Sequence, residues 1–548
     1  LYHGDTRQEA ITLAKSVAVL RMGGEYDDEA SGFVLLGGGA QGALDLIRRI
    51  DDAAQDKSVR ALALRIGHLS GGFLSPVTAQ HEELRAAILR FRQSGKPVVA
   101  YLSNVNNQAA SVYVASAADQ VILPPMAGIQ GLGVSFHMTR WKRTFEKFGI
   151  AWDADTSGTY KSTFHAHYTD TTSAEQRAAI ETLLGDAYFR LMNGLMNARG
   201  VTESDMLSLG TGRVVFPREC VSTGLVDSLG WWDDALKAAD RLAGGDGESV
   251  PKTQKLPDRD PWATRWAPPA AVAVIPVSGS ISSGSSSQDW LRGGRTMGSE
   301  TVVRQLKAAA SHPRVKAVVF RVDTGGGSAL ASEEIRQEIK RLKKRGMPFY
   351  VSMGSAAASG GYWISMDADT IFANPSTVTG SIGVVASFPI FEGLYETLDM
   401  TSETWKRGEH TDMFDMNRPM TPEEREMLNA SLNFIYDEFL DGVSQGRNLP
   451  LDTVRGLAGG RVYFGGQARD LGLVDRIGTL HDAVVAAAWR AGIQDDFEVL
   501  TVRYKDRGLL GRAMNVVGLG RGGYEPPVDM DPVRAEAWRL LPWSASAP

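Results

Sequence analysis

The sequence predicts an α/β fold that is written twice in one chain. Three observations carry the prediction. Short apolar strand patterns alternate with helical patterns, the same order of patterns returns in the second half, and a stretch rich in Gly, Pro and charge lies between the two. Parallel strands need a crossover between them, and helices of about 10–13 residues alternating with strands supply it.

Taken in order, Val17-Ala-Val-Leu20 reads as a strand, and Gly37-Gly-Gly-Ala-Gln-Gly42 leads into a helix over Ala43 to Ala54. Val59 to Ile66 is the next strand, and Ser70-Gly-Gly72 a turn. Glu82 to Arg92 is a helix, with Leu84, Ala87, Ile88 and Phe91 on one face. Gly95-Lys-Pro stops it before the strand Val98 to Leu102. The second half repeats the series. Ala271 to Ile275 is a strand, Thr301 to Ala310 a helix, Val315 to Val322 a strand, Thr324-Gly-Gly-Gly-Ser328 a turn, Glu333 to Arg345 a helix, and Phe349-Tyr-Val-Ser352 a strand. The offset is nearly constant. Ala118-Asp119 precedes Ala368-Asp369 by 250 residues, and Gly224-Leu-Val-Asp227 precedes Gly472-Leu-Val-Asp475 by 248. So long a period marks a duplication, since solenoid repeats run about 20–50 residues. The expected division is a first repeat over 1–242, a linker over 243–270, a second repeat over 271–505 and a tail over 506–548, where Ala535 to Leu541 could form a short amphipathic helix.

Composition narrows the function. The formal net charge is −6 and no basic block of five or more residues occurs, which argues against a nucleic-acid partner. The cluster Arg341-Leu-Lys-Lys-Arg345 fits the last turn of a helix, where cations offset the dipole. A single cysteine, Cys220, excludes an intrachain disulfide and a multi-Cys metal site. His165-Ala-His167 is the one close histidine pair, and no second ligand cluster matches it. Thr370 to Phe391 and Gln120 to Thr139 are charge-poor over a membrane-spanning length, but their Pro, Gly and polar residues suit buried core segments better. A chain that starts at Leu1 without a signal peptide reads as a trimmed, soluble product. Gly37-x-Gly-x-x-Gly42 has the spacing of a dinucleotide loop, but the following strand ends at Ile66-Gly-His68 without the acidic residue that would hold a ribose. Gly518-Leu-Gly-Arg-Gly-Gly523 shares the spacing without the strand–helix context. His68 and His410 lie near turns and suggest no Ser-His-Asp triad.

The informative differences lie between the copies. Ala356-Ala-Ala-Ser-Gly-Gly-Tyr-Trp-Ile-Ser365 presents the hydroxyl of Ser359 beside the Gly360 N–H at a helix start. A helix N-cap is the plain reading of such a serine, and a nucleophile next to an oxyanion donor is the chemical one. The first copy has Ala109 at the matching position and no glycine pair. Conversely, Ser157-Gly-Thr-Tyr-Lys-Ser162 carries Lys161 where the second copy has Thr411. A serine nucleophile needs a base. A lysine serves if burial brings its pKa toward ~7–8, whereas a lone lysine is ordinarily a solvated surface residue.

Gly158-Thr-Tyr-Lys-Ser162, Ala357-Ala-Ser-Gly-Gly-Tyr-Trp-Ile364 and Asn374-Pro-Ser-Thr-Val-Thr-Gly-Ser-Ile-Gly383, in this order, resemble the signal peptide peptidase A family in its long, duplicated form. The resemblance spans roughly Val17 to Gly492. It implies two tandem Clp-protease/crotonase-like β/α superhelix repeats. It also implies a dyad of nucleophile Ser359 and general base Lys161, with Ser381 orienting the lysine. Gly327 and Gly360 N–H would form the oxyanion hole. No cofactor, metal or nucleotide is implied. Substrates would be cleaved signal peptides and other extended, apolar peptides. The family is anchored in the bacterial membrane by an N-terminal helix, faces the extracytoplasmic side and assembles as a homotetramer. One departure stands out: the family's oxyanion segment Asn-Ser-Pro-Gly-Gly-Ser reads Asp323-Thr-Gly-Gly-Gly-Ser328 here, with Gly325 replacing Pro. The rival readings are a crotonase-type acyl-CoA enzyme and a catalytically silent scaffold.

Overall fold

The computed structural model describes residues 16–24, 26–27, 41–72, 74–255, 269–288, 295–504 and 528–533. Most of the Gly37 loop, the Gly518 motif and the stretch from Ala535 to Leu541 lie outside the described residues.

The first repeat carries β1 (Ser16–Gly24), α1 (Ala43–Gln55), β2 (Val59–Leu69), α2 (Ala79–Gln93), β3 (Val98–Leu102), α3 (Ala109–Ala115), β4 (Gln120–Leu123), β5 (Ala151–Ser157), α4 (Ala174–Arg199), β6 (Ser228–Leu229), α5 (Trp232–Leu242) and β7 (Thr253–Lys255). The second carries β8 (Ala270–Ser278), α6 (Ser299–Ser311), β9 (Val315–Thr324), α7 (Ala329–Lys344), β10 (Phe349–Ala358), the single turn α8 (Gly360–Trp363), β11 (Thr370–Ala373), β12 (Val378–Gly380), β13 (Val384–Ile390), α9 (Pro422–Arg447), β14 (Val462–Phe464), β15 (Arg476–Ile477), α10 (Leu480–Arg490), β16 (Phe497–Tyr504) and β17 (Val528–Val533).

The first sheet runs β6-β4-β3-β2-β1-β7, and the second β14-β12-β10-β9-β8-β16-β17, with β11 on β10 and β15 on β11. Pairing is parallel through β4-β3-β2-β1 and through β11-β10-β9-β8. Two stretches outside the expected repeats join these sheets. Thr253–Lys255, inside the predicted linker, pairs with β1, and Val528–Val533, inside the tail, pairs antiparallel with β16.

Burial follows the period of the strands. In β1 and β2, Ala18, Leu20, Leu62 and Leu64 face one core while Val17, Ala61 and Ala63 face another under α5. In β8, Ala271, Ala273 and Ile275 go one way, and Val272 and Val274 go the other, beneath α10. Alternate side chains take opposite faces, and both faces are covered by helices, which is why these strands read as continuous apolar runs. In α7 the basic residues Arg341, Lys343 and Lys344 occupy the last turn, where they complement the helix dipole.

Two features lock the repeats together. β5 of the first pairs antiparallel with β13 of the second, from Ser157 opposite Val384 to Ala151 opposite Ile390. Arg425 on α9 clamps this ribbon by binding Asp153 and Asp155. The start of α2 is driven against the second sheet. Glu83 there, 2% exposed, receives a forked pair of bonds from the fully buried Arg321 of β9, at 2.7 and 3.1 Å. It also accepts from Asn374 Nδ2 and Leu480 N–H. Every oxygen of that carboxylate is thus used, which is what makes a buried ion pair tolerable.

Candidate active site

The site forms where β10 ends. Ser359 follows Ala358 with φ +54° and ψ −118°, a strained conformation, and its N–H donates to the Gly380 carbonyl. Its hydroxyl makes no cap bond to α8. Ser359 thus stands at the N-cap position without using its hydroxyl as a cap, and Oγ is bonded to the Lys161 amine. Of the described residues, only Ser359, Ser381, Asp399 and Asn448 have positive φ without being glycine. Two of those four stand here, so about 1–3 kcal/mol of backbone strain per residue is concentrated at this point.

Lys161 comes from the first repeat, just beyond β5. It is 3% exposed. Its Nζ lies 2.8 Å from Ser359 Oγ, 3.0 Å from Ser381 Oγ and 3.0 Å from the Ser381 carbonyl oxygen. No carboxylate pairs with it among the described residues. Burial alone lowers its amine from 10.5 to about 8, because a charged ammonium loses its hydration there. The contact forms within one chain. Ser381, itself at φ +52°, is held by its N–H to the Arg461 carbonyl at 2.7 Å.

The neighbouring loop is Thr324 to Ser328. Gly327 has φ +155°, and a Cβ there would lie 2.1 Å from the Ile281 carbonyl oxygen, so only glycine fits. Ser328 N–H bonds that carbonyl and Ile281 N–H bonds the Gly326 carbonyl. Those two bonds leave the Gly327 N–H outside the pairing with Ile281, and the Gly327 nitrogen lies 3.1 Å from where a Cβ on Gly360 would stand. Neither the Gly327 nor the Gly360 N–H has an acceptor among the described residues. Gly325 lies outside the positive-φ set, with nothing within 4 Å of its Cβ position. A side chain at position 325 would have room for its Cβ.

The structure thus gathers all five residues singled out in the sequence, Ser359, Lys161, Ser381, Gly327 and Gly360. It also adds residues that sequence reasoning missed. Gly459 and Gly460 form the cradle of the lysine: Tyr160 N–H donates to the Gly459 carbonyl at 2.7 Å, Gly460 N–H to that of Ile382, and a Cβ on Gly460 would sit 2.6 Å from Lys161 Cα. The glycine pair in Ala458-Gly-Gly-Arg461 is visible in the sequence, but nothing local ties it to Lys161, which lies in the other repeat. Gln80 and Asp323 are the other omission. Gln80 Nε2 donates to Asp323 Oδ2 at 2.8 Å, and Asp323 Oδ1 accepts the Ala356 N–H at 2.9 Å, tying the first repeat to the start of the oxyanion loop. The two close histidines have separate partners: His165 Nδ1 is bonded to Gln176, and His167 stacks on Trp152.

Among known proteins, the chain is 32% identical over 457 residues to Protease 4 of Haemophilus influenzae, covering 80% of this chain and 71% of that one. It is 30% identical over 453 residues to the chloroplastic serine protease SPPA of Arabidopsis thaliana, covering 80% of this chain and 64% of that one. It is 28% identical over 460 residues to Protease 4 of Salmonella typhi, covering 81% and 71%. Fold and relatives together define a serine-type peptidase made of two tandem α/β repeats. The description "Peptidase family S49" matches twice, over residues 90–245 and 341–494, once in each repeat. The chain belongs to peptidase family S49.

Proposed function

We propose that the chain is a serine endopeptidase with a Ser/Lys dyad. Ser359 is the nucleophile, Lys161 the general base, Ser381 the residue that orients the lysine, and Gly327 and Gly360 N–H the oxyanion donors. The observation that carries this reading is the set of three oxygens around the buried Lys161 amine. A neutral amine has two N–H donors and one lone pair. The Ser381 carbonyl can only accept, so it takes one N–H, and Ser381 Oγ takes the other. The lone pair is left facing Ser359 Oγ. As Ser359 attacks a peptide carbonyl, Lys161 takes its proton and then delivers it to the leaving amine. Water deacylates the enzyme by the same route. The developing oxyanion meets the two unpartnered N–H groups, worth a factor of about 10²–10³ for one such donor.

In this reading the substrates are cleaved signal peptides and other extended, apolar peptides. The protein works at the extracytoplasmic face of a bacterial membrane, held there by an anchor outside the described residues. Among the described residues, no helix is long and apolar enough to cross a membrane. The chain assembles as a homotetramer in this reading; Trp405, Phe414 and Phe434 are exposed apolar side chains that a subunit contact would cover.

The test is covalent. A fluorophosphonate probe should modify Ser359, located by peptide mass mapping, and modification should vanish in Lys161→Ala. A folded protein that shows neither labelling nor peptide hydrolysis from about pH 7 to 10, the range of a lysine base, would sink the proposal. Turnover of an acyl-CoA without labelling would point to the crotonase-type alternative.

A further inference from the structure

Next to Tyr160, the residue before the lysine, the two repeats enclose an open cavity of about 710 Å³. One wall is the start of α4, and the other runs from Arg461 to Leu471. Its surface is mostly apolar: Ala178, Leu183, Val462 and Leu471, with the rings of Tyr160 and Tyr463. Among the described residues one cation lines it. The Arg461 guanidinium lies 4.3 Å from the centre of the Tyr160 ring and donates to the Tyr160 hydroxyl. No carboxylate pairs with Arg461 among the described residues. The acids of the lining are Glu175 and Asp470, both exposed, and Asp470 is already bonded to Arg469.

We propose that this cavity binds the free C-terminal end of a short apolar peptide, with the terminal carboxylate on Arg461 and apolar side chains against Ala178, Leu183 and Leu471. An apolar wall with few polar groups is what a peptide side chain requires. A planar guanidinium without an anion partner matches a carboxylate bidentately. Exposed Glu175 and Asp470 can accept from the peptide's amide groups as the chain leaves the cavity. The inference rests on the peptidase reading for its ligand class, because every cleavage makes a new carboxylate terminus. The cavity also adjoins the dyad. Tyr160 immediately precedes Lys161, and the Arg461 carbonyl holds Ser381 N–H. A product seated there would bear on the groups that hold the lysine.

The experiment uses Ser359→Ala, which cannot turn over its ligand, with acetyl-Leu-Leu-Leu as the free acid and as the C-terminal amide. Titration calorimetry should show saturable binding of the acid and binding at least tenfold weaker for the amide. Arg461→Gln should weaken the acid by about tenfold, the loss of one charge-assisted bond. Thr182→Trp, which fills the cavity from its α4 wall, should abolish binding without touching Arg461 or the dyad. Equal binding of acid and amide, no saturable binding, or unchanged binding in Thr182→Trp overturns the proposal, the last because the peptide then sits in the catalytic cleft. Probe labelling of Ser359 in the otherwise unaltered chain is scored separately. A protein that labels but does not bind refutes the cavity alone, and one that binds but does not label refutes the peptidase reading alone.

Discussion

The burial of Lys161 makes a prediction that joins stability to activity. In the folded chain the amine titrates near 8 instead of 10.5. Between those values the unfolded chain holds a proton that the folded one has released, so stability rises with pH across that window by about 1.4 kcal/mol per unit. The lysine's contribution is fully present above 10.5 and is lost as pH falls through 8, leaving a penalty of roughly 3 kcal/mol at neutral pH. Lys161→Met removes the buried charge but strands the Ser359 and Ser381 oxygens, at about 1–3 kcal/mol. The variant should therefore be inactive, and at pH 7 as stable as the parent or slightly more so. Urea unfolding of both proteins at half-unit steps gives the decisive curve. Parent minus variant should be flat below pH 8 and climb by about 1.4 kcal/mol per unit from 8 toward 10.5. Acylation of Ser359 should rise tenfold per unit up to pH 8 and then level, with about one molecule in a hundred competent at pH 6. A flat stability difference from pH 8 to 10, or acylation as fast at pH 5 as at pH 9, would refute the argument.

Other expectations follow from the same geometry. Gly460→Ala places a methyl 2.6 Å from the Lys161 backbone; labelling should fall about 100-fold, the cost of misplacing a reacting group by an ångström, while circular dichroism stays native. Gly327→Ala keeps the N–H, but its methyl would lie 2.1 Å from the Ile281 carbonyl oxygen and must displace the loop; the misplaced oxyanion donor should cut kcat by about 10²–10³, with the far larger share of the loss in kcat and not KM. Gly325→Pro should be tolerated: Thr324 before it is extended strand, and the gain should be about 0.4–1 kcal/mol from a stiffer unfolded chain, read as a raised urea midpoint with labelling intact. Glu83→Ala removes the carboxylate that two nitrogens of the buried Arg321 share, and unfolding should cost about 3–5 kcal/mol less; an unchanged midpoint would show that the pair does not hold the repeats together.

Much of the fold is legible because its signals are local. Leu84, Ala87, Ile88 and Phe91 recur at helical spacing, and the central strands read as apolar runs because both their faces are covered. Edge strands are less visible. Thr253–Lys255 is polar and short, and only its hydrogen bonds to β1 make it a strand. At the site, Ser359 and Lys161 stand out because each lacks a counterpart in the other copy. Gly460, Gln80 and Asp323 carry no such contrast, since the contacts that join each to the other repeat lie hundreds of residues away.

The sequence by itself determined the duplication, the α/β class and the complementary asymmetry of serine and lysine, all properties of residue order. Tertiary structure alone decided what the asymmetry amounts to. The β5–β13 ribbon and the Glu83–Arg321 lock bring the repeats together, and that closure strips water from Lys161 and sets it 2.8 Å from Ser359. Desolvation and distance depend on what surrounds a group in space, and no local pattern encodes either.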